Sequence, residues 1–117
     1  MVEPVETTAG YAVSMAIPEV TVDELAGLLA GGARLVDVRE PDEYAQARVP
    51  GAVLVPLGTV PEQVEAFRGE GPVYVICARG GRSLKAAEYV AEHGIDAVNV
   101  AGGTLAWIDA GHPVDAG

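Results

Sequence analysis

A short apolar segment that ends in the only cysteine of the chain restricts the fold more than any other feature. Residues 73–76 read Val-Tyr-Val-Ile, Cys77 follows them directly, and a loop with two adjacent glycines then leads into a helical pattern that opens at Ser83. A strand followed by a glycine-rich loop and a helix is typical of open parallel sheets, which bind ligands at the carboxyl ends of their strands. We therefore expect Cys77 to lie at the binding edge of such a sheet.

The loop after Cys77 predicts an anion-binding pocket. Its glycines allow several backbone N–H groups to point inward, and the helix that follows adds the positive end of its dipole. Arg79, Arg82 and Lys85 lie within this segment, and no Asp or Glu follows Cys77 until Glu88. An isolated cysteine is more often a small buried apolar residue, but such surroundings lower a thiol pKa from about 8.5 to roughly 3.5–7.5. We therefore expect a thiolate near neutral pH.

The charge of the chain excludes several classes of partner. With 7 Lys and Arg against 17 Asp and Glu, the formal net charge is -10, whereas nucleic acids and anionic membranes bind to basic faces. No apolar run approaches the ~20 residues that span a bilayer. A single cysteine forms no internal disulfide, and the two histidines lack the spacing of a metal site. We expect a cytoplasmic protein that uses no cofactor and no metal and binds neither nucleic acid nor membranes.

The length of the chain predicts a single domain. Its 117 residues are enough for a core that needs neither disulfide nor metal. Residues 1–16 lack the basic and long apolar regions of a signal peptide, and we interpret them as a flexible extension before one domain at 17–117. Half of all residues are apolar but only 5% are aromatic, which suits parallel strands covered by helices. We expect this domain to be a monomer.

Helix and strand signals alternate along the domain. Thr21 and Glu24 form a capping box for a first helix, which the glycine pair 31–32 ends. Pro41 suits the first turn of a short acidic helix. The predicted strands are 34–38, 52–57, 73–76 and 97–100, and the other predicted helices are 61–67 and 83–93. This alternation indicates an α/β fold, a parallel sheet with right-handed crossovers and helices on both faces.

A cluster of charges follows the strand at 34–38. Asp37, Arg39 and Glu43 come at the end of this strand, and the carboxyl ends of parallel strands share one edge of a sheet. We therefore expect these side chains near Cys77. We interpret them as a supporting ion-pair network that holds the loop, in preference to a direct catalytic role.

Three motifs, in this order, resemble those of the rhodanese-like domain, the thiosulfate sulfurtransferase family. They are DVREPDEY at 37–44 with Pro-Gly-Ala at 50–52, the Cys-x-x-Gly-x-Arg pattern at 77–82, and the glycine pair 102–103 before a short helix that bears Trp107. The resemblance runs from about residue 17 to residue 114 and implies five parallel strands. We expect Trp107 in the core.

One segment departs from the pattern of that family. The family most often has Gly-His-Ile before the Pro-Gly-Ala motif, whereas this chain has Ala47, Arg48 and Val49. The histidine is not the nucleophile of the family. We therefore expect the difference to affect local packing and the approach of the substrate, and to leave the chemistry unchanged.

The resemblance also implies a reaction. The thiolate of Cys77 attacks a sulfur donor such as thiosulfate, carries the sulfur as a persulfide and passes it to a thiophilic acceptor: cyanide in vitro, a thiol or a sulfur-carrier protein. A basic residue at the third loop position, here Arg79, resembles members that use thiosulfate more than those that use mercaptopyruvate. The substrate-binding residues expected on this basis are Ala78, Arg79, Gly80, Gly81, Arg82 and Ser83.

Two other classes of function remain open from the sequence. Related protein phosphatases and arsenate reductases have a loop one residue longer, which fits a tetrahedral phosphate or arsenate. Four residues separate Cys77 from Arg82 here, which favours a sulfur atom as the guest. The other alternative is a binding module of the same fold that has no catalytic activity. The presence of Cys77 among loop arginines argues against it, because such a module would not need this pocket.

Overall fold

The computed structural model describes residues 17–117; the predicted extension at 1–16 lies outside them. The strands are β1 (Glu19–Val20), β2 (Arg34–Asp37), β3 (Val53–Leu54), β4 (Val73–Ile76) and β5 (Ala97–Val100). The α-helices are α1 (Val22–Ala30), α2 (Pro41–Gln46), α3 (Gly81–Ala91) and α4 (Gly103–Asp109), and a 3-10 helical segment covers Leu57–Phe67. None of the helices in the described part of the chain has the length and apolar character needed to cross a membrane.

The five strands form one parallel sheet in the order β1-β5-β4-β2-β3. This confirms the expected fold. The strand that precedes Cys77 is at the centre, where Val75 of β4 pairs with Val36 on one side and with Asn99 on the other. Because β2 and β4 end in register, with Asp37 opposite Ile76, the segments that follow the two strands begin side by side.

Helices cover both faces of the sheet, as the sequence predicts. Alternate residues of a strand point to opposite faces, and β4 sends Val73 and Val75 into one apolar cluster with α3 and the 3-10 segment. Tyr74 and Ile76 enter a second cluster with α1 and α4. Trp107 of α4 belongs to this second cluster and is buried, so its predicted place in the core is confirmed.

Two predicted helix starts are also confirmed. The hydroxyl of Thr21 accepts a hydrogen bond from the Glu24 amide, and the Glu24 carboxylate accepts one from the Thr21 amide, so that the capping box at the start of α1 is complete. Pro41 occupies the first turn of α2. Its missing N–H is one that the first turn of a helix leaves unpaired in any case.

Several predicted boundaries were wrong. The third strand is only β3, because Pro56 has no N–H to continue the ladder, although the amides of Val55 and Leu57 still donate to the carbonyls of Asp37 and Val38. The following helix begins earlier than predicted and is 3-10, with a non-helical residue at Gln63 just after Pro61. The helix after the cysteine begins at Gly81, two residues before the predicted Ser83, and it ends at Ala91.

Candidate active site

Cys77 directly follows β4 and is only 1% exposed. The amide of Gly80 donates a hydrogen bond to its sulfur over 3.1 Å, and the hydroxyl oxygen of Ser83 lies 3.3 Å from the same atom. The amide of Gly80 reaches the sulfur because the chain turns back with a φ of 109° at this glycine, a left-handed conformation that other residues rarely adopt. The thiol thus lies in a closed turn, with one amide donor directed at the sulfur and one hydroxyl group beside it.

These contacts determine the acidity of the thiol. Burial alone raises the pKa of Cys77. Hydrogen bonds to the sulfur outweigh burial, first from the hydroxyl and amide of Ser83 and then from the amides of Gly80 and Arg79, so that the pKa lies below its ordinary value. The direction agrees with the sequence argument, but hydrogen bonds replace cationic side chains as the main cause.

Arg82 is held by Glu43 of α2. Its two terminal nitrogens donate to the two carboxylate oxygens over 2.9 and 3.0 Å, a bidentate geometry that suits a guanidinium. The hydrogen bonds from Arg82 lower the pKa of Glu43 to about 2. In turn Glu43, and more weakly the charge of Cys77, raise the pKa of Arg82. Glu43 therefore pairs with Arg82, a partner that the sequence does not predict, and the pair fixes the first turn of α3 against α2.

Asp37 and Arg39 form a second, buried ion pair beside the loop. Their side chains are 0% and 6% exposed, and the Arg39 Nη2 atom lies 2.8 Å from an Asp37 carboxylate oxygen. Arg39 also donates through its backbone and Nε to Asp37, and through Nη2 to the carbonyl of Ala47. These bonds fix the connection from β2 to α2, which agrees with the supporting role expected from the sequence.

Arg79 is the loop arginine without such a partner. Its side chain is exposed and forms no ion pair with another of residues 17–117. The two arginines of the loop therefore differ in their surroundings. The guanidinium of Arg82 is already bound to the carboxylate of Glu43. The guanidinium of Arg79 can still bind an anion that approaches the loop.

The start of α4 holds the loop from the other side. The amide of Thr104 donates to the carbonyl of Cys77 over 2.8 Å, and that of Leu105 donates to the carbonyl of Ala78 over 3.0 Å. This close approach requires Gly103, since a Cβ atom there would overlap the Cys77 carbonyl oxygen and lie 2.5 Å from the Ala78 carbonyl carbon. Because both carbonyls are fixed outside the turn, the peptide planes around Cys77 are held in one orientation.

Comparison with known proteins agrees with this arrangement. A sequence model of the Rhodanese-like domain matches residues 21–110. The chain belongs to the rhodanese-like domain family. The matched range includes β2 to β5, the loop after β4 and the glycine pair that supports this loop.

Relatives and a solved structure cover most of the domain. The putative sulfurtransferase YtwF of Bacillus subtilis is 40% identical over 73 residues, which are 62% of this chain and 71% of YtwF. A sulfurtransferase of Allochromatium vinosum is 35% identical over 81 residues, 68% of this chain and 76% of its own. A crystal structure of a rhodanese-like domain protein from Staphylococcus aureus superimposes with a TM-score of 0.78 at 39% identity, covering 86% and 99% of the two chains.

Arg48, where the family most often has histidine, lies away from the loop in this rhodanese-like domain. Its guanidinium carbon is 4.6 Å from the centre of the Tyr44 ring, and its Nη1 donates to the carbonyls of Tyr44 and Gly117. Its backbone pairs with Asp115. The substitution thus changes the packing of the last residues against α2, and none of these contacts involves the Cys77 loop.

Sequence reasoning missed Asn99 and Glu19, two residues of the site in this rhodanese-like domain. Asn99 of β5 is 1% exposed and contacts both Ser83 and Gly80, and its amide nitrogen also donates to Glu19 of β1. The available signal was a single polar residue in the buried apolar run of β5. Buried amides need partners, but the sequence does not show where those partners are.

A cavity of about 250 Å³ lies beside the loop, between α2 and α4. Ala78 lines it next to the loop, and Leu105 and Ile108, each 44% exposed, form an apolar side. A larger cavity of about 340 Å³ lies at the opposite edge of the sheet and is lined by Arg34 and Arg68. Both of these arginines already bond to nearby carbonyls, and the residues that line that cavity include no cysteine, serine, threonine or histidine.

Proposed function

We propose that this rhodanese-like domain is a sulfurtransferase that carries a sulfane sulfur on Cys77. The observation that carries the proposal is a single thiol of lowered pKa, held in a turn where the amide of Gly80 donates to its sulfur and the hydroxyl oxygen of Ser83 lies 3.3 Å from it. Such a thiol is both ionised and stabilised where negative charge develops. Relatives named sulfurtransferase or putative sulfurtransferase support the assignment.

The proposed reaction is a two-step covalent transfer. The Cys77 thiolate attacks the outer sulfur of thiosulfate, a bond forms between the two sulfurs, and the bond to the sulfite sulfur breaks with its electron pair leaving on sulfite. An acceptor nucleophile then attacks the outer sulfur of the persulfide. The bond to Sγ breaks, Cys77 returns to the thiolate, and cyanide becomes thiocyanate or a thiol acceptor becomes a persulfide.

Thiosulfate is the proposed donor because of Arg79. This exposed guanidinium is available at the loop, whereas Arg82 is bound to Glu43. Donor recognition would then come mainly from Arg79 and from the loop amides. We further propose that Arg82 acts by holding the start of α3, and so keeps the donors around Cys77 in place.

We expect Arg79→Ala to raise KM for thiosulfate about tenfold with kcat nearly unchanged, since one screened charge contributes to binding of the donor. Arg82→Ala should mainly lower kcat, because the hydrogen bonds around Cys77 lose their support. Steady-state kinetics from low to high ionic strength measure both effects, and Arg79→Lys serves as a control that keeps the charge. If the two alanine variants change the same constant to the same extent, the division of roles is wrong.

The acceptor would enter through the cavity beside Ala78. The exposed side chains of Leu105 and Ile108 suit the carbon portion of an organic thiol or of the side chains around a sulfur-carrier thiol. We also propose that the domain acts as a monomer. We place it in the cytoplasm, because a free thiol that cycles through a persulfide needs a reducing compartment.

Mass spectrometry of the intact protein tests the proposed reaction. After incubation with thiosulfate we expect a gain of one sulfur atom, located on the peptide that contains Cys77 and removed by cyanide as thiocyanate. With no second cysteine in the chain, no internal disulfide can discharge the persulfide. A phosphatase would instead hydrolyse an aryl phosphate, and a binding module would do neither. An unchanged mass under excess thiosulfate, with the thiol still reactive to iodoacetamide, would exclude thiosulfate as the donor.

A further inference from the structure

The hydroxyl group of Ser83 lies between two acceptors that compete for it. Its oxygen is 2.6 Å from the Oδ1 atom of Asn99 and 3.3 Å from the sulfur of Cys77. A serine hydroxyl carries one proton and can donate to only one acceptor at a time. All three residues are at most 1% exposed, so bulk water does not replace the missing donor for the other acceptor.

The orientation of the Asn99 amide is fixed by its other neighbours. Its Nδ2 atom is 2.8 Å from a carboxylate oxygen of Glu19 and 3.2 Å from the carbonyl oxygen of Gly80. Both neighbours only accept hydrogen bonds, so the amide must present its two N–H groups to them and its oxygen to Ser83. At 2.6 Å, the proton of Ser83 therefore lies on the Asn99 side.

We propose that Asn99, held in place by Glu19, is a positioning residue that competes with Cys77 for the single proton of Ser83. A thiol, or the inner sulfur of a persulfide, does not need this proton. A thiolate is stabilised by this proton. When the Ser83 hydroxyl turns to donate to the thiolate, the Oδ1 atom of Asn99 is left as a buried acceptor without a donor, and this loss is unfavourable. Asn99 therefore disfavours the free thiolate relative to the forms in which Sγ is uncharged.

This competition also affects the equilibrium between free and sulfur-loaded Cys77, an effect that rests on the proposed function. In the thiolate the negative charge is on Sγ, whereas in the persulfide it moves to the outer sulfur. Ser83 can then return to Asn99, so that the loaded state regains a buried hydrogen bond. Asn99 should thus shift the loading equilibrium toward the persulfide.

Charged groups around the loop also act on Cys77 and must stay constant in a test. They lie on the loop and α3 (Arg79, Arg82), on α2 (Glu43), at and just after the end of β2 (Asp37, Arg39) and on β1 (Glu19). A neutral residue in place of Asn99 alters none of these charges. Valine is well suited, because it favours a strand and fills most of the volume, and alanine provides a second, smaller variant.

The test is the pH dependence of alkylation of Cys77 by iodoacetamide, which reports the thiol pKa whether or not sulfur is transferred. We expect Asn99→Val and Asn99→Ala to lower this pKa by about half a unit to one unit, since Ser83 is freed for the thiolate. Ser83→Ala should raise it by about one unit. In the Ser83→Ala background, the Asn99 substitutions should have no further effect on it. Thermal unfolding followed by circular dichroism confirms that each variant is folded.

Two results would overturn the proposal. One is a thiol pKa that stays constant or rises in the Asn99 variants, as expected if Asn99 only supports the fold. The other is an equal shift with and without the Ser83 hydroxyl. The loading consequence is measured separately, as the persulfide fraction at a fixed ratio of thiosulfate to sulfite, which should fall severalfold in Asn99→Val. Absence of loading in the unmodified protein would refute the sulfurtransferase proposal and the loading step, but leave the alkylation result standing.

Discussion

Cys77→Ser should reduce sulfur transfer from thiosulfate to cyanide by at least about 10⁴-fold, the scale of losses seen when a covalent nucleophile is removed. The serine hydroxyl is not ionised near neutral pH, and it cannot form a persulfide. Since the chain has one cysteine, no other thiol can take over. Thiocyanate formation in steady state measures the effect.

Folding of this variant separates lost chemistry from lost structure. The serine oxygen keeps an acceptor for the Gly80 amide that now bonds to the sulfur, so we expect the melting temperature to stay within a few degrees of the unmodified protein. Cys77→Ala removes this acceptor and should be less stable, with equally little activity. Transfer above the background rate in either folded variant contradicts a mechanism through Cys77.

Local signals were enough to predict much of the site. The strand, the cysteine and the glycine loop are contiguous in the chain, and their order places Cys77 at the carboxyl edge whatever the details of packing. Asp37, Arg39 and Glu43 could be placed nearby for the same reason. Opposite charges at one sheet edge predict a supporting ion-pair network. The ion pairs Asp37–Arg39 and Glu43–Arg82 agree with this prediction.

Features that depend on tertiary contacts could not be predicted. Glu19 and Asn99 are 80 residues apart in the chain, and nothing in the sequence indicates that β1 pairs with β5. The helix after the loop was expected to begin at Ser83, although Gly80 already turns the chain and α3 starts at Gly81. The sequence predicts the lowered pKa of Cys77 from loop amides, a helix dipole and arginines together, but the leading contribution of Ser83 depends on a geometry that the sequence does not contain.

The role of the glycine pair 102–103 also depends on a tertiary contact that the sequence does not reveal. The sequence identifies it as a motif of the family, but its physical role is evident only from the contact between α4 and the loop. At Gly103 a φ of 63° combines with direct contact to the backbone of Cys77 and Ala78. Backbone atoms cannot move aside as the end of a side chain can, so this is the least replaceable glycine near the thiol.

Gly103→Ala should therefore lower the free energy of unfolding by about 3 kcal/mol or more, as the sum of a left-handed conformation and overpacking. The amides of Thr104 and Leu105 would be pushed away from the carbonyls of Cys77 and Ala78. With the loop no longer held, the thiol pKa should rise toward its ordinary value and sulfur transfer should fall strongly. Chemical denaturation and alkylation kinetics measure the two effects.

Gly111→Ala is the matched control, because Gly111 has a φ of 83° and open space where a Cβ would lie. This variant isolates the cost of the left-handed conformation, about 1–2 kcal/mol, and should leave the thiol pKa and the activity unchanged. The difference between the two variants then measures the contact of α4 with the loop. Equal loss of stability in both, with normal alkylation of Cys77 in Gly103→Ala, would mean that α4 can shift without disturbing the thiol. The two hydrogen bonds to the Cys77 and Ala78 carbonyls would then have no part in holding the site.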